Sequence, residues 1–152
     1  MLEEGQQAPA FELQDQDGKS VSLSDFSGQT VVVYFYPRAD TPGCTTQACS
    51  FRDSREEYAE HDVVVLGISD DPVEDLEAFT EKYDLPFRLL SDDSGEVADA
   101  YDSYGEKNVF GNTVEGVFRN TYVIDEDGII TETYEGVDPE DHAEEILADL
   151  DA

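Results

Sequence analysis

Two cysteines are the residues of this 152-residue sequence best suited to chemistry, and they lie five positions apart, at Cys44 and Cys49. Cys44 follows Thr41-Pro42-Gly43. A hydroxyl residue followed by proline is a helix-start signal, with Thr41 capping and Pro42 in the first helical position. Cys44 is then the third helical residue, beside unpaired backbone N–H groups and the positive end of the helix dipole. Both features favour the thiolate, which is the nucleophilic form of cysteine. Five residues along an intact helix put the two Cα atoms about 8.6 Å apart, whereas a disulfide needs about 7 Å or less. A bond between them requires the first turns to unwind. Thr45 and Thr46, β-branched and weaker helix formers than Ala or Leu, ease that step slightly.

The elements that must position these thiols are legible on either side. Thr30-Val31-Val32-Val33-Tyr34-Phe35-Tyr36 is apolar on both faces and rich in β-branched residues, the pattern of a strand covered on both sides. Pro37 ends it. The cysteine helix runs to about Glu60, and a second buried strand follows at Val63–Ile68. Asp70-Asp71-Pro72 opens a helix whose apolar residues Leu76, Phe79 and Tyr83 recur at helical spacing. Phe87–Leu90 reads as a strand, Gly95–Tyr101 as a short helix, and Asp102–Gly116 as a long irregular loop. Asp-Gly turns mark hairpins at Phe11–Leu23 and at Phe118–Tyr134, and Asp138-Pro139 caps a closing helix. This alternation predicts one α/β domain over residues 1–152, a mixed central sheet with helices on both faces.

Composition bounds the partners. Thirty-eight Asp and Glu face eight Lys and Arg, for a net charge of −30. A phosphate backbone or an anionic membrane surface repels such a chain, which excludes nucleic-acid and membrane binding. A hydrophobic fraction of 39% and buried-strand patterns argue against an acidic disordered chain. The carboxylates are spread along the whole sequence and repel one another in dilute salt. At about 1 M salt the Debye length is about 3 Å and most of that repulsion is screened. Adaptation to a salt-rich cytoplasm is the sharper reading, and an ordinary acidic protein the plainer one. The acidic start Met1-Leu2-Glu3-Glu4 is no secretory signal, and the longest apolar run, Val31–Pro37, is too short to span a bilayer. A cytoplasmic location follows. In that reducing compartment, neighbouring cysteines are more often catalytic or metal-binding than a permanent disulfide. Two cysteines without clustered histidine make no zinc site, His61 and His142 read as ordinary, and neither Asp-Gly turn carries the ligand spacing of a calcium loop. No cofactor or metal is implied.

The string Pro37, Thr41, Cys44, in P-x-x-x-T-x-x-C spacing, resembles the active-site motif of the peroxiredoxins. Cys49, Tyr34-Phe35-Tyr36-Pro37 and Asp40-Thr41-Pro42-Gly43-Cys44-Thr45 resemble the bacterioferritin-comigratory (PrxQ-like) branch, and the similarity extends through Leu66–Ser69, Leu89–Asp92 and Arg119–Asp125. The resemblance implies a thioredoxin-like fold and a thiol peroxidase acting on hydrogen peroxide and organic hydroperoxides. Cys44 would attack the peroxide and Cys49 would resolve the sulfenic acid to a disulfide, which a thioredoxin-like dithiol would reduce. Thr41 would present its hydroxyl to sulfur and peroxide, Pro37 would wall the pocket, and Arg119 would stabilise the thiolate and the leaving oxygen. Gln47 is a candidate to orient Arg119. A monomer is implied, since members of that branch are often monomeric.

Plainer readings stand beside these. Cys44 or Cys49 could be a small buried hydrophobe, and Arg119 a structural partner for one of many carboxylates. Arg38, Arg52 and Arg55 read as surface or ion-pairing residues. A thioredoxin-type dithiol oxidoreductase is a second class, although that chemistry usually uses C-x-x-C and the spacing here is C-x-x-x-x-C. A redox sensor that oxidises once is a third.

Overall fold

The computed structural model describes residues 2–109 and 111–151. The chain begins with a hairpin, β1 (Glu12–Asp15) and β2 (Ser20–Ser22), and a 3-10 turn at Leu23–Phe26. Then come β3 (Thr30–Phe35), α1 (Pro42–Asp53), α2 (Arg55–Glu60), β4 (Val63–Ser69), α3 (Val73–Tyr83), β5 (Arg88–Ser91) and α4 (Glu96–Ala100). The chain continues through β6 (Tyr104–Val109), β7 (Asn112–Val117), β8 (Thr121–Ile124), β9 (Ile130–Tyr134) and α5 (His142–Asp151).

Seven strands form one sheet in the order β2-β1-β5-β4-β3-β8-β9. β3 pairs parallel with β4, and β4 with β5, while β8 pairs antiparallel with both β3 and β9. β3 is central because it is apolar on both faces: Val31, Val33 and Phe35 enter one core cluster, and Val32, Tyr34 and Tyr36 the other. Ala98 and Tyr101, in and just after α4, pack in the first cluster. The second holds the inner faces of α1, α2, α3 and α5, through Cys44, Ala48, Phe51, Tyr58, Leu76, Phe79 and Ile146. The sheet is therefore mixed and covered on both sides, as expected. The β3–helix–β4 crossover and the β8-β9-α5 return give it a thioredoxin-like core.

Three expectations need correction. The helix expected to run from Thr41 to Glu60 breaks at Ser54. Ser54 is a residue type that favours caps over helix interiors, and Glu56 and Glu57 then occupy a fresh first turn, where carboxylates are favoured. The expected loop at Asp102–Gly116 contains a two-stranded sheet, β6 against β7, in register from Tyr104↔Val117 to Val109↔Asn112. It was hard to read because it is polar and pairs with no strand of the main sheet; Gly111 at φ +82° was the turn signal. The closing helix starts at His142 rather than beside Asp138-Pro139, because the Asp138 carboxylate accepts the Glu140 N–H in a local turn.

Candidate active site

Thr41 occupies the N-cap position of α1 with extended backbone and Pro42 the first helical position, so Cys44 is the third helical residue, as its spacing predicts. The capping hydroxyl expected of Thr41 makes no bond to the helix N–H groups and instead donates to the Arg38 carbonyl. The Thr45 N–H donates to the Thr41 carbonyl, closing the first turn beside Cys44. Cys44 is 1% exposed and packs in the core cluster beneath α1. Cys49 is half-buried on the same helix, and both thiols are free. Since α1 is continuous from Pro42 to Asp53, the two cysteines stay too far apart to bond while it is wound.

Arg119 reaches this thiol from the approach to β8, the strand paired with β3. It lies two residues before β8 rather than within the strand, on a tight turn closed by the Asn120 N–H donating to the Phe118 carbonyl. The Arg119 carbonyl accepts the Val137 N–H, and the Asn120 carbonyl accepts that of Phe35 at the end of β3. The backbone around Arg119 is thus tied to the strand that leads into the cysteine loop. From there Arg119 Nη2 donates to Cys44 Sγ at 3.3 Å and Nη1 to Gln47 Oε1 at 2.7 Å. Gln47, one helical turn after Cys44, is fully buried, and its Nε2 has no protein partner. One side chain of α1 therefore holds the guanidinium that contacts another.

Gly43 makes room for that contact. A Cβ at Gly43 would sit 3.1 Å from Arg119 Nη2, closer than ordinary packing tolerates. Nothing in the sequence alone assigns Gly43 this role.

The loop before α1 is fastened on both sides. The Thr41 hydroxyl donates to the Arg38 carbonyl at 2.8 Å, so its proton is committed and its lone pairs remain to accept. Buried Asp71, after β4, accepts the Ala39 N–H at 2.7 Å and the Ser69 hydroxyl at 2.8 Å, with Arg38 Nε at 3.9 Å. Nothing in the sequence separates Asp71 from the other thirty-seven carboxylates, and it was missed. Pro37 stands half-buried directly after the fully buried Tyr36.

An aromatic floor lies under α1. Tyr34 stacks on Phe51 with ring centroids 4.7 Å apart and lies 5.4 Å from Tyr36. Burial pushes the Tyr34 and Tyr36 phenols above their ordinary range, so both stay neutral. His142 serves structure: it is buried, with Nε2 at 2.8 Å from Thr121 Oγ1 and Nδ1 at 3.1 Å from Glu145. Burial pushes the His142 imidazole down, opposed by the Glu145 carboxylate. No helix among the described residues is long and apolar enough to cross a membrane.

A thiol in the first turn of a helix, faced by an arginine and set on a thioredoxin-like sheet, defines the class of thiol-dependent peroxidases. Comparison with known proteins agrees. The AhpC/TSA family matches residues 4–133. The chain is 45% identical over 149 residues to peroxiredoxin Bcp of Bacillus subtilis, covering 98% of this chain and 95% of that one. Among solved structures, a peroxidoxin, BcpB, from Mycobacterium tuberculosis superposes with a TM-score of 0.89 at 37% identity, covering 99% of this chain and 97% of the other. The bacterioferritin comigratory protein of Xanthomonas campestris, described for its alkyl peroxide reduction, superposes at 0.88 with 31% identity, covering 93% and 90%. The chain belongs to the AhpC/TSA family and is a peroxiredoxin of the Bcp/PrxQ type, a thiol peroxidase. Peroxiredoxins reduce peroxides and are themselves reduced by thioredoxin-like proteins.

Proposed function

We propose that Cys44 is the peroxidatic cysteine and Cys49 the resolving one, with Arg119, Thr41 and Pro37 completing the site. The observation that carries this reading is the Arg119 Nη2 contact to Cys44 Sγ at 3.3 Å. The Cys44 thiolate attacks one peroxide oxygen; the S–O bond forms as the O–O bond breaks, and the departing alkoxide or hydroxide takes a proton and leaves as alcohol or water. Charge moves from sulfur to the leaving oxygen during this step. A guanidinium already placed beside the sulfur stabilises both ends of that movement without reorganising. The Thr41 hydroxyl, its O–H donated to the Arg38 backbone carbonyl, accepts the O–H of the incoming peroxide and orients it. Pro37, half-buried at the end of β3, limits access of water and excess oxidant.

The sulfenic acid on Cys44 then condenses with the Cys49 thiol, releasing water and forming a disulfide once the first turns of α1 unwind. A thioredoxin-like dithiol reduces it by exchange. Hydrogen peroxide and organic hydroperoxides are both substrates in this scheme. Trapping with a sulfenic-acid reagent tests it: one equivalent of peroxide should label Cys44 in Cys49→Ser, and give a Cys44–Cys49 disulfide in the unaltered protein. A label on Cys49 instead would reverse the assignment.

The rest of the reading rests on composition, length and resemblance. A net charge of −30 supports a protein of a salt-rich cytoplasm. The single domain follows from length and the alternation of elements, and the monomer from the resemblance to the PrxQ-like branch. Its unfolding midpoint should climb steeply between about 0.1 and 2 M KCl, as screening removes self-repulsion. Full stability in dilute salt would sink the halophilic reading.

A further inference from the structure

The two ends of α1 are tied to a single residue of α3. Asp40, immediately before the N-cap, accepts the Tyr83 hydroxyl at 2.9 Å and Lys82 Nζ at 3.0 and 3.2 Å. Arg52, in the last turn of α1, donates from Nη1 to the Tyr83 carbonyl at 2.8 Å. That carbonyl is available because Tyr83 is the last residue of α3, where carbonyls have no helical N–H to accept. The Tyr83 ring is held in turn by the core, edge-on to buried Phe79 with centroids 5.5 Å apart.

The contacts at the two ends differ in kind. Asp40 has φ +58°, a left-handed backbone that non-glycine residues adopt at a cost. Its carboxylate meets Lys82 and Tyr83 in this pose, and the same pose aims the chain into Thr41 and the first turn. Unwinding that turn releases the strain and breaks the contact, so the contact favours the wound state. Arg52 lies beyond Cys49, outside the segment that must unwind, and its contact with Tyr83 bounds the change. Between them lie Cys44 and Cys49.

From this we infer that Tyr83 is a positioning residue for the second step of the cycle: with Lys82 it latches the start of α1 through Asp40, and through Arg52 it anchors the far end. The inference rests on Cys44 and Cys49 being the disulfide-forming pair. The latch holds α1 in the peroxide-reactive form and slows the step in which sulfenic acid and thiol condense to disulfide and water. A longer-lived sulfenic acid meets a second peroxide more often and passes to sulfinic acid. The end of α3 thereby sets the balance between turnover and inactivation.

The test separates the two steps in time. Reduced protein is mixed with one equivalent of hydrogen peroxide, quenched by alkylation at intervals, and its thiol, sulfenic and disulfide forms counted by mass spectrometry. Tyr83→Phe removes only the hydroxyl; it should raise the rate of disulfide formation about three- to tenfold, the net scale of one solvent-exposed hydrogen bond. Peroxide reduction by Cys44 should stay within about twofold, and sulfinic acid should accumulate less at equal peroxide. Exposed Lys82→Gln gives a second arm. It should speed the same step at about 0.3 M KCl, with the effect fading near 3 M as the ion pair is screened. A general loosening of the fold would slow the first step as well. An unchanged or slower disulfide step in a folded Tyr83→Phe, or in Lys82→Gln, would overturn the latch. If the unaltered protein forms no Cys44–Cys49 disulfide, the cysteine assignment itself falls, and the latch with it.

Discussion

Arg119 and Cys44, seventy-five positions apart in sequence, meet at 3.3 Å between guanidinium Nη2 and sulfur. The contact depends on two separate pieces of fold. The first turn of α1 presents the sulfur, and the tight turn before β8 presents the arginine. Everything proposed for the site passes through that meeting.

Replacing the guanidinium should therefore cost chemistry more than stability. Arg119→Met is expected to lower kcat/KM for hydrogen peroxide about 100- to 1000-fold, the usual loss when a placed donor to a developing charge is removed. Arg119→Lys should recover only part of it, because an ammonium cannot serve sulfur and Gln47 with two separated donors. Stopped-flow peroxide kinetics would show this. Equal rates for arginine and methionine would make Arg119 a structural residue.

Gln47 should show its role through a mismatch between activity and stability. Its Oε1 holds Arg119 Nη1, while its buried Nε2 has no protein partner. Gln47→Met keeps the volume and removes that unpaired donor, so the unfolding free energy should change by less than about 1 kcal/mol. The peroxide rate should fall about tenfold as Arg119 loses its guide. A loss of stability with unchanged kinetics would refute the role.

Gly43 gives a change of opposite signs. An added methyl would crowd Arg119 Nη2 at 3.1 Å, and a flexible side-chain end yields more readily than backbone. Gly43→Ala should then displace the guanidinium and slow peroxide reduction about three- to thirtyfold, a misplacement effect. The melting temperature should hold or rise, since alanine favours a helix by up to about 1 kcal/mol over glycine. Kinetics and a thermal scan on the same preparation settle it.

His142 predicts a pH dependence. Burial lowers its affinity for a proton in the folded state, so the unfolded chain binds protons more readily. Its contribution to stability is complete above its unfolded pKa of about 6.5 and is lost as pH falls through the lowered folded value. Glu145 is the carboxylate that faces the ring, at 3.1 Å, and Tyr134 packs edge-on to it. His142→Gln should cost about 1–2 kcal/mol at pH 8 through the weakened contact to Thr121, and the gap to the unaltered protein should narrow below pH 6. Denaturant midpoints at both values test this; a gap that widens in acid would contradict the sign.

How much of this was legible beforehand follows from where the information sits. The cysteine turn is local: cap, proline and thiol follow one another, and α1 begins where they say. β3 announced its burial by being apolar on both faces. The β6–β7 hairpin stayed hidden because its sequence is polar, carries no clean alternation and pairs with no strand of the main sheet. The break at Ser54 stayed hidden because neither proline nor glycine marks it. Arg119 could be named by resemblance, but its bond to Gln47 was only a candidate. Asp71 and Tyr83 act through contacts across 32 and 43 positions, distances at which a single sequence carries no pattern.

The measurement that tests the central claim most directly is steady-state peroxide consumption with a thioredoxin-like dithiol in molar KCl, for the unaltered protein, Cys44→Ser and Cys49→Ser. Many turnovers per protein are predicted, with none in Cys44→Ser. In Cys49→Ser, turnover with the protein dithiol should be lost but partly restored by a small thiol. Consumption of about one equivalent that then stops would contradict peroxidase cycling through this cysteine pair and leave a single-use redox sensor in its place.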